Sequence, residues 1–334
     1  MTNGFAEQAL LWVRAFGSDP IVLSTLQSGL QYFSTSFGYI AYRRAGGFDL
    51  TLGPPVCAAQ DRADMVERFL HAHRRPIFFY VPHDIARLAT RLGGRRFRHC
   101  GMGIDQLLSL AQPLSADVQV NAATRKAKRA AFALREFDFD RLSAADRERL
   151  EQINRHYLEH SRVPGEMRFL NRPLATHGAS LGRGFWLTQG SGAEPFGYAV
   201  LDPYFSQGQA IGYLLNLVRF EPTRLWGVYY ATVAHLAEKL RAEGCQELSL
   251  GFCPLTDVSV QGCSRLLAPQ VQWLERKLSQ VHYFSHLATM KRAFVGHPMQ
   301  RYFVTPSFDV LTCVISFLRA SGVGFVPLLR RVLS

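Results

Sequence analysis

The clearest change of hydrophobic period in the chain falls between Gly212 and Leu255. Gly212-Tyr-Leu-Leu-Asn-Leu-Val-Arg219 has the density of a buried strand. From Gly227 the apolar positions Val228, Ala231, Leu236 and Leu240 fall on or near one helical face, and Leu248-Ser-Leu-Gly-Phe-Cys-Pro-Leu255 returns to a strand. Gly227 frees the first turn of that helix and Gly244 ends it. The pattern predicts strand, helix, strand, with unpaired N–H groups at the helix start that suit an anion or an acyl oxygen. A strand leaving through Gly251 and Pro254 predicts a cleft beside them.

Similar units fill the rest of the sequence. Residues 20–56 alternate aromatic and polar positions through Tyr39-Ile-Ala-Tyr42, turn at Ala45-Gly-Gly47 and leave by Leu52-Gly53-Pro-Pro, as a β-hairpin with a Gly-Pro exit. Asp61 is predicted to cap a helix with Met65, Val66, Phe69 and Leu70 buried, followed by a strand at Ile77–Val81 and a helix from Asp84 to Leu92 stopped by Gly93-Gly94. Ser143 and Asp146 resemble a capping box opening a helix to about His160; strands follow at Phe185–Gln189 and Phe196–Leu201. The order predicts an α/β (α+β) fold of two tandem GNAT-like acyltransferase domains with mixed sheets: residues 1–135 with a basic linker, residues 136–306, and a tail of residues 307–334. Gly53 and Gly251 are expected at equivalent strand exits.

Charge adds a partner to this picture. Thirty-eight lysines and arginines against 26 acids give a formal charge of +12, which suits nucleic acid or an anionic membrane and also serves as plain solubility charge. The densest cationic run, Arg125-Lys126-Ala-Lys128-Arg129, is a solvated helix face, or a phosphate-binding surface if it lies near a cleft. Six scattered cysteines without a Cys-x-x-Cys pair, and no signal-peptide pattern, predict a reducing cytosol. No run approaches the roughly 18–20 apolar residues of a membrane span. The apolar tail edged by Arg319, Arg330 and Arg331 fits either a membrane interface or a helix docked on the body.

Several separated motifs give a more specific resemblance. In order they are Tyr32-Phe-Ser, Tyr39-Ile-Ala-Tyr-Arg43, Leu52-Gly-Pro-Pro-Val56, Cys100-Gly-Met-Gly-Ile-Asp105, the basic segment 121–129, Glu166-Met-Arg-Phe169, Asn216-Leu-Val-Arg219, Trp226-Gly-Val228, Leu248 to Leu255, and Leu287-Ala-Thr-Met-Lys291-Arg-Ala-Phe294 with Arg301-Tyr302 beyond. Their order and spacing over residues 20–306 resemble the soluble synthase domain of bacterial phosphatidylglycerol lysyltransferases. The resemblance implies transfer of an aminoacyl group from aminoacyl-tRNA to a hydroxyl of an anionic lipid, or to a small hydroxyl or amine acceptor, without ATP, metal or cofactor. With the cysteine pattern and the tail, the expectation is a cytoplasmic protein, peripheral on the inner face of the cell membrane if the tail lies in the interface.

Within that resemblance Arg219 and Lys291 are expected to offset developing negative charge, and Glu166 or Tyr302 to relay a proton. Asn216, Gly227, Gly251, Asp257 and Phe294 are expected to line the substrate, and Arg125, Lys126, Lys128 and Arg129 to meet tRNA. Asn216 stands where the family commonly has an acid, and Cys253 where it has Ala before Pro-Leu. Loss of that carboxylate removes a natural partner for a cationic amino acid, so the donor residue is left open. Two other readings stay beside this one: an N-acyltransferase using acyl-CoA or a carrier thioester, with Arg224-Leu-Trp-Gly227 as a degenerate pyrophosphate loop, and an inactive lipid- or RNA-binding module. His156 and His160 have the spacing of a metal pair but no third ligand, and no metal site is expected.

Overall fold

The computed structural model describes residues 3–160, 166, 168–174, 181–190, 192–223, 225–260, 263–279, 282–306 and 310–322. The first half runs α1 (Asn3–Phe16), β1 (Gln31–Thr35), β2 (Gly38–Ala45), β3 (Phe48–Thr51), β4 (Val56–Cys57), α2 (Arg62–Ala72), β5 (Pro76–Val81), α3 (His83–Gly93), β6 (Arg98–Ser109) and α4 (Val118–Arg129). The second runs β7 (Phe132–Phe137), α5 (Ala144–His160), β8 (Arg183–Gln189), β9 (Gly197–Ser206), β10 (Gln209–Phe220), α6 (Val228–Ala242), β11 (Glu247–Pro254), α7 (Ala268–Ser279), α8 (His282–Arg292), β12 (His297–Thr305) and α9 (Val310–Ser321).

The same plan occurs twice. An antiparallel meander, β1-β2-β3 or β8-β9-β10, crosses through α2 or α6 to a parallel strand, β5 or β11. A mixed sheet for each unit was the expectation. Hydrogen bonding instead joins all of them in one sheet of order β1-β2-β3-β5-β12-β6-β11-β10-β9-β8-β7, with β4 on β2. The last strand of each half crosses to the other: β12 pairs with β5, β6 pairs with β11, and β12 and β6 pair with each other, all antiparallel. The exchange covers the open edges that β5 and β11 would otherwise present.

This topology corrects the pairing of Gly53 with Gly251. Gly53 follows β3, the counterpart of β10, whereas Gly251 lies within β11. Between Ser249↔Leu107 and Phe252↔Asp105 two residues of β11, Leu250 and Gly251, oppose only Gln106; between Val304↔Phe78 and Tyr302↔Val81 two residues of β5, Phe79 and Tyr80, oppose only Phe303. Both bulges end on a left-handed residue, Gly251 at φ +77° and Tyr80 at φ +61°. The structural counterpart of Gly251 is therefore a buried tyrosine, which sequence likeness does not reveal.

Local signals near helix ends held where the chemistry was short-range. The Ser143 hydroxyl and the Asp146 backbone and carboxylate bond reciprocally at the start of α5. Gly244 at φ +82° ends α6, its N–H donating to Arg241 O while Cys245 N–H reaches Leu240 O. Asp61, predicted as a side-chain cap, stands before α2 but makes no capping bond, because it already has helical backbone angles at the end of a short 3-10 turn. The predicted single stripe of α6 is too narrow. Tyr230, Thr232, Val233, Ala234 and Ala237 are buried as well, since α4 covers the side of α6 that the sheet does not.

Two further expectations change. Cys100 of β6 and Cys263 form a disulfide, so the six cysteines are not all free thiols; pairing across 163 positions is invisible to local spacing. Of the two fits for the tail, α9 is docked: Val310, Cys313 and Leu318 are buried, Phe317 stacks on Phe79 at 4.8 Å, and Arg43 donates to Ala320 O. Arg330 and Arg331 lie outside the described residues. Among those described, no helix is long and apolar enough to cross a membrane.

Candidate functional site

The parallel ladder of β10 and β11 is short. Gly212, Tyr213 and Leu214 pair with Glu247, Leu248 and Ser249, after which the strands separate while each continues to pair on its other side. The bulge at Leu250-Gly251 opens one wall. The Gly251 N–H turns to Ser249 Oγ at 3.1 Å, and a Cβ on Gly251 would stand 3.3 Å from Leu214 Cδ1 and 3.6 Å from Lys291 Nζ. Glycine thus leaves room for the lysine as well as taking the left-handed angles.

Lys291 reaches this wall from the end of α8. Its side chain is buried, and Nζ donates to Phe252 O at 3.0 Å, just past the bulge. Burial pushes its pKa below that of a free lysine, with Cys253 and Asp105 pulling in the opposite direction. The neighbouring Cys253 thiol is pushed up by its own burial. An ammonium with one carbonyl partner among the described residues, held in a desolvated wall, has donor capacity left for a substrate oxygen.

On β10 lie Asn216 and Arg219. Asn216 is the extra residue of a bulge, between Leu215↔Leu201 and Leu217↔Val200. Its Nδ2 donates to Arg172 O at 2.9 Å and its Oδ1 accepts from Arg172 N at 3.2 Å. Gln27 grips Phe169 in the same way, donating to its O at 2.7 Å and accepting from its N at 2.9 Å. The two amides pin the segment that carries Glu166 across the sheet. Glu166 Oε1 accepts from Arg219 Nη2 at 2.8 Å; Arg219 also donates to Asn154 Oδ1 and lies 5.6 Å from the Tyr157 ring centre. The structure therefore joins the buried Arg219 and the half-buried Glu166 as an ion pair, so neither is an uncommitted charge. Arg172, which sequence reasoning missed, pairs with the fully buried Asp202 at 3.0 Å.

A second missed constellation occupies the strand exchange. The fully buried Arg301 donates to Asp105 at 2.7 Å and to Asp19 at 2.6 and 3.1 Å, under the Tyr80 ring at 4.5 Å, while the Tyr80 hydroxyl donates to Asp105. Burial raises the Asp105 pKa and Arg301 lowers it. Asp105 and Arg301 both sit inside quoted motifs; a charge flanked by apolar strand residues was the available signal, since such a charge needs a buried partner.

The remaining candidates scatter. Gly227 takes φ +80° before α6, and a Cβ there would fall 2.5 Å from Ala123 Cβ, so α4 sits close against the helix start. Phe294 is a core residue whose carbonyl accepts from Gln106 at 3.2 Å. Tyr302 stacks on His83 at 4.8 Å within the core of Ile85, Phe97 and Val304, apart from Arg219. Asp257 is exposed and pairs with Arg292. Arg125, Lys126, Lys128 and Arg129 stand exposed on α4, whose buried stripe is Val120, Ala123 and Ala127. Arg224 lies outside the described residues.

Residues 21–305 match the family model described as phosphatidylglycerol lysyltransferase, C-terminal. No curated protein matches the sequence. Among solved structures, the C-terminal domain (DUF2156) assigned to a lysylphosphatidylglycerol synthetase of Agrobacterium fabrum superposes with a TM-score of 0.76 at 16% identity, covering 95% of this chain and 98% of that one. L-PGS from Bacillus licheniformis gives 0.75 at 15% identity over 95% and 96%. FemX gives 0.54 at 7% identity over 93% and 98%, a likeness of fold alone.

Proposed function

The chain belongs to the phosphatidylglycerol lysyltransferase C-terminal family, a transferase family on an acyltransferase fold, and from that premise we propose that it moves an aminoacyl group from aminoacyl-tRNA to a hydroxyl of an anionic lipid. The observation that carries the reading is the buried Lys291 ammonium in the opening between β10 and β11, beside Gly251. Aminoacyl-tRNA is already an activated ester, so the protein has to align the acceptor, stabilise the oxyanion and move one proton. The acceptor oxygen attacks the ester carbonyl, the bond to the ribose oxygen breaks, and the acceptor's proton ends on that oxygen. Lys291 stabilises the oxyanion. The Arg219–Glu166 pair, held by Asn154 and by the pinned segment, lines the β10 side, and Tyr302 stays with the core around His83.

The exposed cations of α4 supply the tRNA-phosphate contacts, and the protein works at the cytoplasmic face of a membrane. Close packing of Ala123 on Gly227 weighs against an acyl-CoA pyrophosphate at the start of α6. Lys291, intact and buried, weighs against an inactive binding module.

Incubation with a pool of charged tRNA and a lipid extract, followed by mass spectrometry, tests the proposal. Aminoacylated lipid that disappears with ribonuclease is the expected result. Transfer that survives ribonuclease but needs acyl-CoA would overturn it.

A further inference from the structure

Helix α7 is apolar on two faces. Leu267, Val271 and Leu274 point inward and join the core of Cys100 and Met102. Helical spacing puts Leu266, Pro269 and Trp273 on another stripe, and Leu266 and Trp273 are 59% and 56% exposed, with Val260 at 39% on the preceding loop. An outward-facing tryptophan and leucine on a water-facing helix leave apolar area with no partner among the described residues.

Among the described residues, the exposed charges of α7 and of the turn before it are cationic. Arg265, Arg276 and Lys277 are exposed beside it. The one carboxylate of the helix, Glu275, is half-buried and accepts from Val258 N at 3.3 Å. Asp257, at the start of the loop, is taken by Arg292. The surface is also held in place: Cys263 is tied to β6, and Gln270 accepts from Val310 N at 3.0 Å.

We propose that the Leu266–Trp273 face of α7, with Arg265 and Lys277, is the surface by which this protein lies on an anionic phospholipid bilayer. Tryptophan and leucine enter the headgroup layer while the cations meet lipid phosphates, a combination that uncharged bilayers and free phosphate each satisfy only by half. This inference rests on the lipid-acceptor reading above, and it places a membrane contact on α7, whereas Val310, Cys313 and Leu318 of α9 are buried. Chain order connects the surface to the chemistry: the loop leaves β11 directly after Pro254, and α7 leads into α8, which bears Lys291. Docking through α7 brings headgroups to the helix that packs on α8, which in turn packs on β11 and carries Lys291.

Co-sedimentation with vesicles of phosphatidylcholine containing one quarter phosphatidylglycerol tests the surface, with pure phosphatidylcholine vesicles as the comparison. Wild type should bind the anionic vesicles, less so as salt rises. Reversing Arg265 or Lys277 to Glu should weaken binding by at least about fivefold each, and Leu266→Ser with Trp273→Ala by about tenfold or more. Leu11→Ser, on the equally exposed apolar position of α1, should bind as wild type does. Unchanged binding by the double variant overturns the proposal. So does a wild-type dimer that the double variant converts to monomer, which would make the face a self-interface. Transfer to a short-chain phosphatidylglycerol dissolved as monomers separates this claim from the functional one. The double variant should keep that reaction and lose transfer to vesicles, whereas wild type failing with dissolved lipid would sink the transferase reading and leave vesicle binding to judge the surface alone.

Discussion

Replacing Lys291 by Met removes the ammonium while keeping an unbranched side chain of similar reach. On the stability side two effects oppose each other. The charge-assisted bond to Phe252 O, of about 1.5–3 kcal/mol, is lost, and with it goes the cost of burying a cation, several kcal/mol before compensation. The second is at least as large as the first, so the variant should be no more than about 1 kcal/mol less stable than wild type. Transition-state stabilisation has no such compensation. Loss of one oriented donor to an oxyanion costs on the order of a hundredfold to a thousandfold in turnover, about 2.7–4 kcal/mol. The assay pairs denaturant unfolding with initial rates of ribonuclease-sensitive transfer. A variant that is folded and retains activity within a few-fold refutes the placement of the oxyanion at Lys291, while a variant that fails to fold refutes the balance of terms.

Four other outcomes are expected. Gly251→Ala forces a left-handed alanine and crowds Leu214, so it should destabilise by about 1–2 kcal/mol and slow transfer, measured by the same two assays. Asn216→Asp keeps the acceptor for Arg172 N but loses the donor to Arg172 O; a loss of about 1–3 kcal/mol in unfolding free energy should accompany a rise in the ratio of lysyl-tRNA to neutral aminoacyl-tRNA turnover, and an unchanged ratio would detach Asn216 from donor choice. Neutralising Arg125, Lys126, Lys128 and Arg129 together should weaken tRNA binding and flatten its logarithmic salt dependence by up to about 3 in slope, whereas an unaltered slope would leave α4 an ordinary solvated face. Arg183 holds Glu243 down to about 2 from 4.5, so that contribution to stability is present above pH 4.5 and lost as pH falls toward 2; Glu243→Gln should flatten the acid limb of the stability profile.

What the sequence revealed and what it hid divide by chain separation. The strand, helix, strand unit around α6, the capping box at Ser143 and the stop at Gly244 depend on residues within a turn or two, and their apolar periods and cap residues state them openly. The exchange of β6 and β12 leaves no such trace, because each strand would read the same beside either neighbour. The bonds of Arg301 to Asp105 and Asp19 span 196 and 282 positions, and nothing local pairs those charges. Glu166 and Arg219 were legible as charged residues within motifs but not as each other's partner, since their contact depends on Gln27 and Asn216 fixing the segment between them. Tyr302 follows Arg301 in sequence, yet its ring packs against His83 at the start of α3, a neighbour that only the folded chain reveals.

The central claim is that the aminoacyl ester reacts in the opening between β10 and β11. A co-crystal structure with a hydrolysis-resistant mimic of the tRNA 3′ end, an aminoacyl amide of 3′-amino-adenosine, measures it directly. The account predicts the aminoacyl carbonyl oxygen within about 3 Å of Lys291 Nζ, between Gly251 and the Arg219 side of β10. An aminoacyl group found instead in the N-terminal half, at the small cavity lined by Asp19, Thr25 and Arg62, would contradict it.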